Sequence, residues 1–432
     1  MARQLVQRVK GTRDFYPEDW EYQKWLAEKF ISLGTSFGYQ EYEGSILEHM
    51  DLYLGKSSEE IVNRQTFSLT DRDGRLLVLR PELTPTLARM VAQREGQTVF
   101  PVRWQSYGQF FRYERPQRGR GRAFFQWNID LLGSESHAAD AEIITIACLL
   151  FKNLGLTPDH VTIKINDREG LEQLLRTTLD IPHQWIHPLF ALVDRMDKMH
   201  PSKFHNELEK IGLSENKIDR LDHILKTRDL TPFPWLQQIL TQLDLNGVAQ
   251  YVEPDLKIVR GFDYYTRTVF EAWAKTTLRR SVFGGGRYDN LTVQVGGKRD
   301  LPGVGFALGE MAMTELLKEV GLYPEIRTKC ADVLVTVFSE DLAEHSVSFA
   351  RTAREHGIST ELYLNPGHRL DRQLKYADRK GIPTAVIIGP DEVHSNAVVV
   401  KDLVNRTQRV VARDCFDALW PQLKTNTQAT EK

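Results

Sequence analysis

Residues 111–130, "FRYERPQRGRGRAFFQWNID", hold five arginines, Arg112, Arg115, Arg118, Arg120 and Arg122, between two aromatic runs. The whole chain carries a formal net charge of −2, so this positive charge is local. Guanidinium groups present paired N–H donors that suit phosphate oxygens. If the stretch is a β-hairpin, period-two alternation puts Phe110, Arg112 and Glu114 on one face of the outgoing strand. Phe124, Gln126, Asn128 and Asp130 then share a face of the return strand, and "RPQRGRGR" is a flexible loop between them. Arginine and acid opposite amide and acid can hold a zwitterion and a polyphosphate together. An exposed hairpin with a basic tip accounts for the same residues.

Three other stretches carry polar groups at suggestive spacing. "LRPELTPTLARM" (79–90) sets Arg80, Glu82 and Thr84 at alternate positions, as a site rim or as helix-start capping. "KIVRGFDYYTRTVFEAW" (257–273) sets Arg260 beside Gly261 and then Tyr264 and Tyr265, a pair that core packing also explains. "SVFGGGRYDNL" (281–291) has three glycines before Arg287 and Tyr288, which admit either a close ligand approach or a tight turn. "PGVGFALGE" (302–310) has the wrong spacing for a dinucleotide fingerprint, and there is no Walker A sequence. Twelve histidines show no HExxH-type spacing, so no metal-ligating residue is singled out. "GHRLDRQLKYADRK" is a basic helix, a solvated face or an RNA contact.

The elements that must position these residues fall into two parts, divided by the turn-rich "GLYPEIRTKC" (321–330). Beyond it, strand patterns at 331–338, 358–364, 382–389 and 396–403 alternate with helical ones at 339–357 and 367–381. Ser339 is the expected N-cap of the first of these helices and Gly357 its stop. That rhythm implies a parallel or mixed sheet with packed helices, followed by a polar, flexible tail, 424–432. The first part lacks this rhythm. It opens with an amphipathic helix over 18–38 and runs from strand to helix over 76–93. Charged, Leu-rich periodic segments at about 170–250 read as a helical insertion, after which strand-like sequence resumes.

At 432 residues the chain should form two or three domains. Its 41% apolar and 26% charged residues are those of a soluble globular protein. Cys148, Cys330 and Cys415 give neither a zinc motif nor a disulfide framework. No apolar run reaches the roughly 18 residues of a membrane span, and the N-terminus lacks a signal-peptide core. A cytoplasmic protein without a membrane partner is expected.

Taken together, the chain resembles the histidyl-tRNA synthetase family of class II aminoacyl-tRNA synthetases over nearly its full length. "FRYERPQRGRGRAFFQ" is similar to class II motif 2 in its histidine-specific form. "RGFDYYTRTVFE" and "GGGRYDNL" are similar to two signature peptides of that family, and "LKYADRKGIPTAVIIG" with "VVVKDL" to its anticodon-binding domain. The resemblance implies an α+β fold, with an antiparallel sheet flanked by helices in a catalytic domain over 1–325. It also implies the helical insertion and an α/β anticodon-binding domain over 330–423. The implied reaction joins L-histidine to ATP as histidyl-adenylate, releasing pyrophosphate, and then moves histidine to the 3′ end of tRNA(His). Mg²⁺ is expected to accompany the ATP, and a homodimer is expected.

The same resemblance assigns roles. Arg112 would bridge the substrate carboxylate and the α-phosphate, and Arg260 would be a second catalytic arginine. Glu114 would accept from the adenine amino group, Phe124 would stack on the base, and Arg120 would hold the outer phosphates. Asp130 and Tyr265 would read the two ring nitrogens of histidine. Glu82, Thr84 and Gln126 would take its α-amino group, with Tyr264 and Tyr288 completing the histidine pocket. Three positions depart from the family pattern: Ala312 stands where motif 3 carries an arginine, Ser45 where motif 1 carries a proline, and Leu83 where many relatives have glycine. The absent arginine gives an alternative its footing, a non-catalytic histidine-binding paralogue such as the regulatory subunit of ATP phosphoribosyltransferase. That paralogue lacks the C-terminal domain. An RNA-binding module using the C-terminal domain alone leaves the first 320 or so residues unexplained.

Overall fold

The apolar spacing of the first helical stretch produces α1 (Pro17–Ser36), with Pro17 and two acids, Glu18 and Asp19, in its first turn. It buries Tyr22, Leu26, Phe30 and Leu33, and Gly34 lies so close to the sheet that a Cβ there would collide with Gln105. These coordinates come from a computed structural model that describes residues 5–54, 57, 61–259, 264–278, 281–326 and 330–425, with side chains at all but 61, 63, 198 and 425. Two compact units result, Met1–Glu325 and Ile326–Lys432.

After α1 come β1 (Gln40–Glu41), β2 (Leu47–His49), β3 (Phe67–Thr70), β4 (Leu76–Leu79) and α2 (Thr84–Gln93). The long hairpin β5 (Val102–Phe111) and β6 (Ala123–Leu132) follows, then α3 (His137–Asn153) and β7 (Val161–Asp167). Helices α4 (Arg168–Leu179), α5 (His183–Val193), α6 (Pro201–Lys210), α7 (Glu215–Lys226) and α8 (Pro234–Leu245) separate β7 from β8 (Val252–Pro254). The unit closes with β9 (Thr268–Ala274), β10 (Ser281–Tyr288), α9 (Leu291–Gln294), β11 (Gly303–Gly309) and α10 (Glu310–Glu319). Eight strands form one sheet in the order β1-β5-β6-β11-β10-β9-β7-β8, and β2-β4-β3 form a small second sheet. In the large sheet only the outermost pairs, β1 with β5 and β7 with β8, are parallel. The α+β class expected from the resemblance is therefore the one observed.

Two arginines are buried in this unit among the described residues. Arg287 joins Asp140 on α3 and donates to the carbonyls of Ser134 (2.9 Å) and Ser136 (3.1 Å). Arg80 is fully buried and joins Glu43 while donating to the carbonyls of Gly44 and Gln109 at 2.9 Å each. Both arginines are structural, so Arg80 is not part of a site rim. The three glycines 284–286 sit in mid-strand β10 and not in a tight turn.

The second unit contains β12 (Val333–Val335), α11 (Ala343–Glu355), β13 (Thr360–Leu362), α12 (Leu370–Arg379) and β14 (Thr384–Ile387). Then come α13 (Pro390–His394), β15 (Ala397–Asp402), β16 (Thr407–Ala412) and α14 (Phe416–Thr425). Its sheet, β13-β12-β14-β15-β16, is mixed: parallel through β13, β12 and β14, antiparallel beyond. Val333, Val335, Phe349, Val386, Val398 and Trp420 pack its core. Ser339 is not an N-cap. The turn Leu342 N–H to Ser339 O (3.3 Å) delays the helix, and Leu342 precedes it without a side-chain cap.

Candidate active site

The alternation of β6 places Phe124, Gln126, Asn128 and Asp130 on one face, in register with Gly309 opposite Gln126, Ala307 opposite Asn128 and Gly305 opposite Asp130 on β11. These small partners leave space above the sheet. A Cβ at Gly305 would collide with the Asp130 carboxylate, and one at Gly286 on β10 would come within 2.7 Å of the Tyr265 ring. Glycine at both positions is what lets the two side chains stand over the strands.

The resulting cleft encloses about 1120 Å³ including its open mouth, and brings together Glu82, Thr84, Arg112, Glu114, Arg120, Phe124, Gln126, Asp130, Tyr264, Tyr265 and Tyr288. Arg260 lies outside the described residues.

At the closed end, Asp130 is 2% exposed. Its Oδ1 accepts from the Tyr288 hydroxyl at 2.6 Å, whereas Oδ2 has no partner among the described residues. Burial pushes this carboxyl up to about 7, against the opposing effect of the Tyr288 hydrogen bond. A buried acceptor left open beside a cleft suits a ligand N–H. Glu82 is likewise pushed upward by burial, opposed by Ser57, by Arg112 and by the Tyr264 hydroxyl, which donates at 3.2 Å. The rings of Tyr264 and Tyr265 meet edge to face at 4.8 Å. The Gln126 amide donates to the Asn128 carbonyl oxygen at 2.8 Å.

At the open end the sequence reading needs correction. Strand β5 stops at Phe111, so Arg112 and Glu114 lie beyond it, and no strand alternation places them. Arg112 is fixed instead by donation from Nε to the Pro81 carbonyl (2.9 Å) and by its position over the Phe124 ring, 5.5 Å from the centroid. Glu114 accepts from Arg120 at 2.8 Å and lies 3.9 Å from Arg112. The five arginines do not converge. Arg118 turns away to Glu315 (2.6 Å), Arg122 stacks on Tyr113 at 4.0 Å, and Arg115 is exposed. The loop is a structured one, closed by a bridge between Gln117 and Arg120.

Three lining residues had been given no role from sequence: Asn128, Glu271 and Met311, the last of which forms the cleft wall with Ala312 where α10 begins. Glu271 is a lone acid in the apolar strand "TVFEAWA", a signal that could have marked it. Nothing in the local pattern around Ala312 marked it; the comparison with motif 3 did.

The arrangement offers a zwitterion-sized pocket joined by one arginine to an open, partly basic mouth. Residues 11–313 match a family model described as Histidyl-tRNA synthetase, and residues 332–419 one described as Anticodon binding domain. The chain is 36% identical over 422 residues to the histidine–tRNA ligase of Thermoplasma volcanium, covering 94% of this chain and 96% of that protein. It is 32% identical over 415 residues to the histidine–tRNA ligase of Leptospira biflexa, covering 93% and 94%. In fold it is similar to the histidyl-tRNA synthetase from Nostoc sp., with a TM-score of 0.78 at 23% identity, covering 98% of this chain and all of that one.

Proposed function

The chain belongs to the histidyl-tRNA synthetase family, and from that premise we propose how its own residues carry the two-step ligation. The enzyme joins histidine to ATP and transfers it to tRNA(His). In the first step a histidine carboxylate oxygen attacks the α-phosphorus, and the bond from that phosphorus to the bridging oxygen of pyrophosphate breaks. Arg112 lies 3.9 Å from Glu114 and its charge also acts on Glu82, so it can neutralise both the attacking carboxylate and the phosphoryl oxygens. Glu82, Thr84 and Gln126 take the α-amino group, while Asp130 and Tyr265 read the ring beside Tyr264 and Tyr288. Phe124 stacks on adenine. Glu114 and Arg120 are paired with each other at 2.8 Å, and their roles toward adenine and the outer phosphates require that pair to part. Arg260 is assigned the second cationic role by its signature peptide.

Mg²⁺ bound with ATP would supply further neutralisation of phosphate charge. Such an ion keeps water and takes one or two carboxylates, and the half-buried Glu271 on the cleft wall fits that demand. The observation that carries the histidine assignment is the Oδ2 of buried Asp130, which has no partner among the described residues.

Histidine-dependent ATP–pyrophosphate exchange without tRNA tests the reading. Exchange specific to histidine is expected, with Ala312 in place of the motif 3 arginine. Histidine binding by calorimetry without exchange would favour the regulatory-paralogue alternative. The anticodon-domain match over 332–419 speaks against that alternative.

We also assign the enzyme a homodimeric state. Cross-strand register in the small sheet aligns Leu47, Leu79 and Phe67 in one row, and His49, Leu77 and Leu69 in the next. Leu47 and Leu69 are 43% and 44% exposed on this outward face, an apolar surface that a second copy would cover. Ser45 donates to the Leu47 carbonyl at 2.6 Å just before it. Light scattering at micromolar concentration should give a dimer, and Leu47→Asp with Leu69→Asp should give a monomer. A monomeric unaltered chain would remove the assignment. No helix among the described residues is long and apolar enough to cross a membrane. Cys148, Cys330 and Cys415 are all free, which suits a reducing cytoplasm.

A further inference from the structure

Residues 9–15, ahead of α1, touch both sides of the cleft mouth. A tight turn, with Thr12 Oγ1 donating to the Val9 carbonyl at 2.7 Å, holds Gly11 at φ +87°. The Gly11 carbonyl accepts from the Arg122 N–H at 2.7 Å. A Cβ at Gly11 would come within 2.8 Å of Pro116 and 2.9 Å of Arg122, so the segment lies directly on the hairpin loop. Two residues on, Arg13 forms an ion pair with Glu310, the first residue of α10, whose side chain is fully buried. The same Glu310 oxygen accepts from the Phe125 N–H at 3.2 Å. Arg13 also lies over the Phe15 ring (4.9 Å), and Phe15 meets Phe125 edge to face at 5.8 Å.

These contacts tie the loop's return limb to the start of α10. Gly121 and Phe124 line the cleft from the loop side, and Met311 and Ala312 from the helix side. With Ala312 in place, that helix wall offers no charged side chain of its own to a nucleotide, so the spacing between the walls carries more of the recognition. Glu310 is the buried member of this pair and Arg13 is half-buried, so separating them leaves a buried carboxylate unpaired, which resists small displacements. We propose that residues 11–15 are a strap that sets the width of the ATP end of the cleft, with Arg13 as a positioning residue for ATP. The proposal rests on the reading of this cleft as the site of histidine activation.

Histidine-dependent ATP–pyrophosphate exchange on the full chain, with each substrate varied in turn, tests it. Arg13→Ala should raise the KM for ATP about tenfold while the histidine KM stays within about twofold. Because that variant strands the buried Glu310 carboxylate and should melt early, Arg13→Ala with Glu310→Gln is the second variant. The double change removes the stranded carboxylate, so the melting temperature should recover while the ATP KM stays high. Equal rises in both KM values, or recovery of the ATP KM together with the melting temperature, would overturn the strap. Lack of exchange by the unaltered chain is a different outcome and overturns the active-site reading beneath it.

Discussion

Arg112→Ala should lower kcat for histidine-dependent pyrophosphate exchange by about 10²–10³-fold, the range typical of losing one preorganised transition-state donor. The expectation follows from how the side chain is held. Its Nε is committed to the Pro81 carbonyl at 2.9 Å, and its body rests on Phe124. Those two restraints fix the guanidinium 3.9 Å from the Glu114 carboxylate, where its charge also acts on Glu82. Charge that develops on the phosphoryl oxygens then meets a cation that need not reorganise. Arg112→Lys keeps the charge but cannot hold the Pro81 carbonyl and offer a fork at once, so a smaller loss is expected. Steady-state exchange with histidine and ATP each varied up to saturation separates the possibilities. A loss confined to the histidine KM, with kcat intact, would reassign Arg112 to ground-state binding.

Much of this constellation is readable from short-range pattern, because a strand's period of two is set by local geometry. "FFQWNID" could only put Phe124, Gln126, Asn128 and Asp130 on one side of β6. The α+β class and the family were likewise legible, since the motifs lie in order along one chain. What pattern could not reveal were contacts between distant segments. Arg80 looked like a rim residue until Glu43, Gly44 and Gln109 enclosed it. The five arginines looked like one phosphate site, yet Arg118 is drawn away by Glu315, 197 residues later. Arg13 and Glu310 are 297 positions apart, and neither stands in a pattern that names the other. Strand β16, "TQRVVA", was missed because it is exposed at nearly every position and shows no alternation of burial. It exists because β15 supplies a partner edge.

Asp130→Asn should raise the histidine KM by up to about 10²-fold, the equivalent of the roughly 1–3 kcal/mol lost when a buried hydrogen-bonding group is left unmatched. Asp130 now offers a buried oxygen with no partner among the described residues, and an amide nitrogen there would face a ring N–H donor to donor. The pH dependence gives a second signature. Burial raises the Asp130 carboxyl from 3.8 to about 7, so its ionised, accepting form grows as pH passes 7. Histidine binding by the unaltered enzyme should therefore weaken as pH falls below 7, beyond what titration of the free imidazole near 6.5 explains. In Asp130→Asn the part of that dependence owed to Asp130 should disappear. Stability should move the other way. A carboxyl whose folded value is raised binds its proton more tightly in the native state, so its ionisation costs stability as pH climbs between roughly 4 and 7, by about 1.4 kcal/mol per unit at most. The neutral amide escapes that cost, and Asp130→Asn should melt higher than the unaltered enzyme above pH 7 while binding histidine far worse. An unchanged histidine KM in Asp130→Asn, whatever the melting temperature, would strip Asp130 of its ring-reading role.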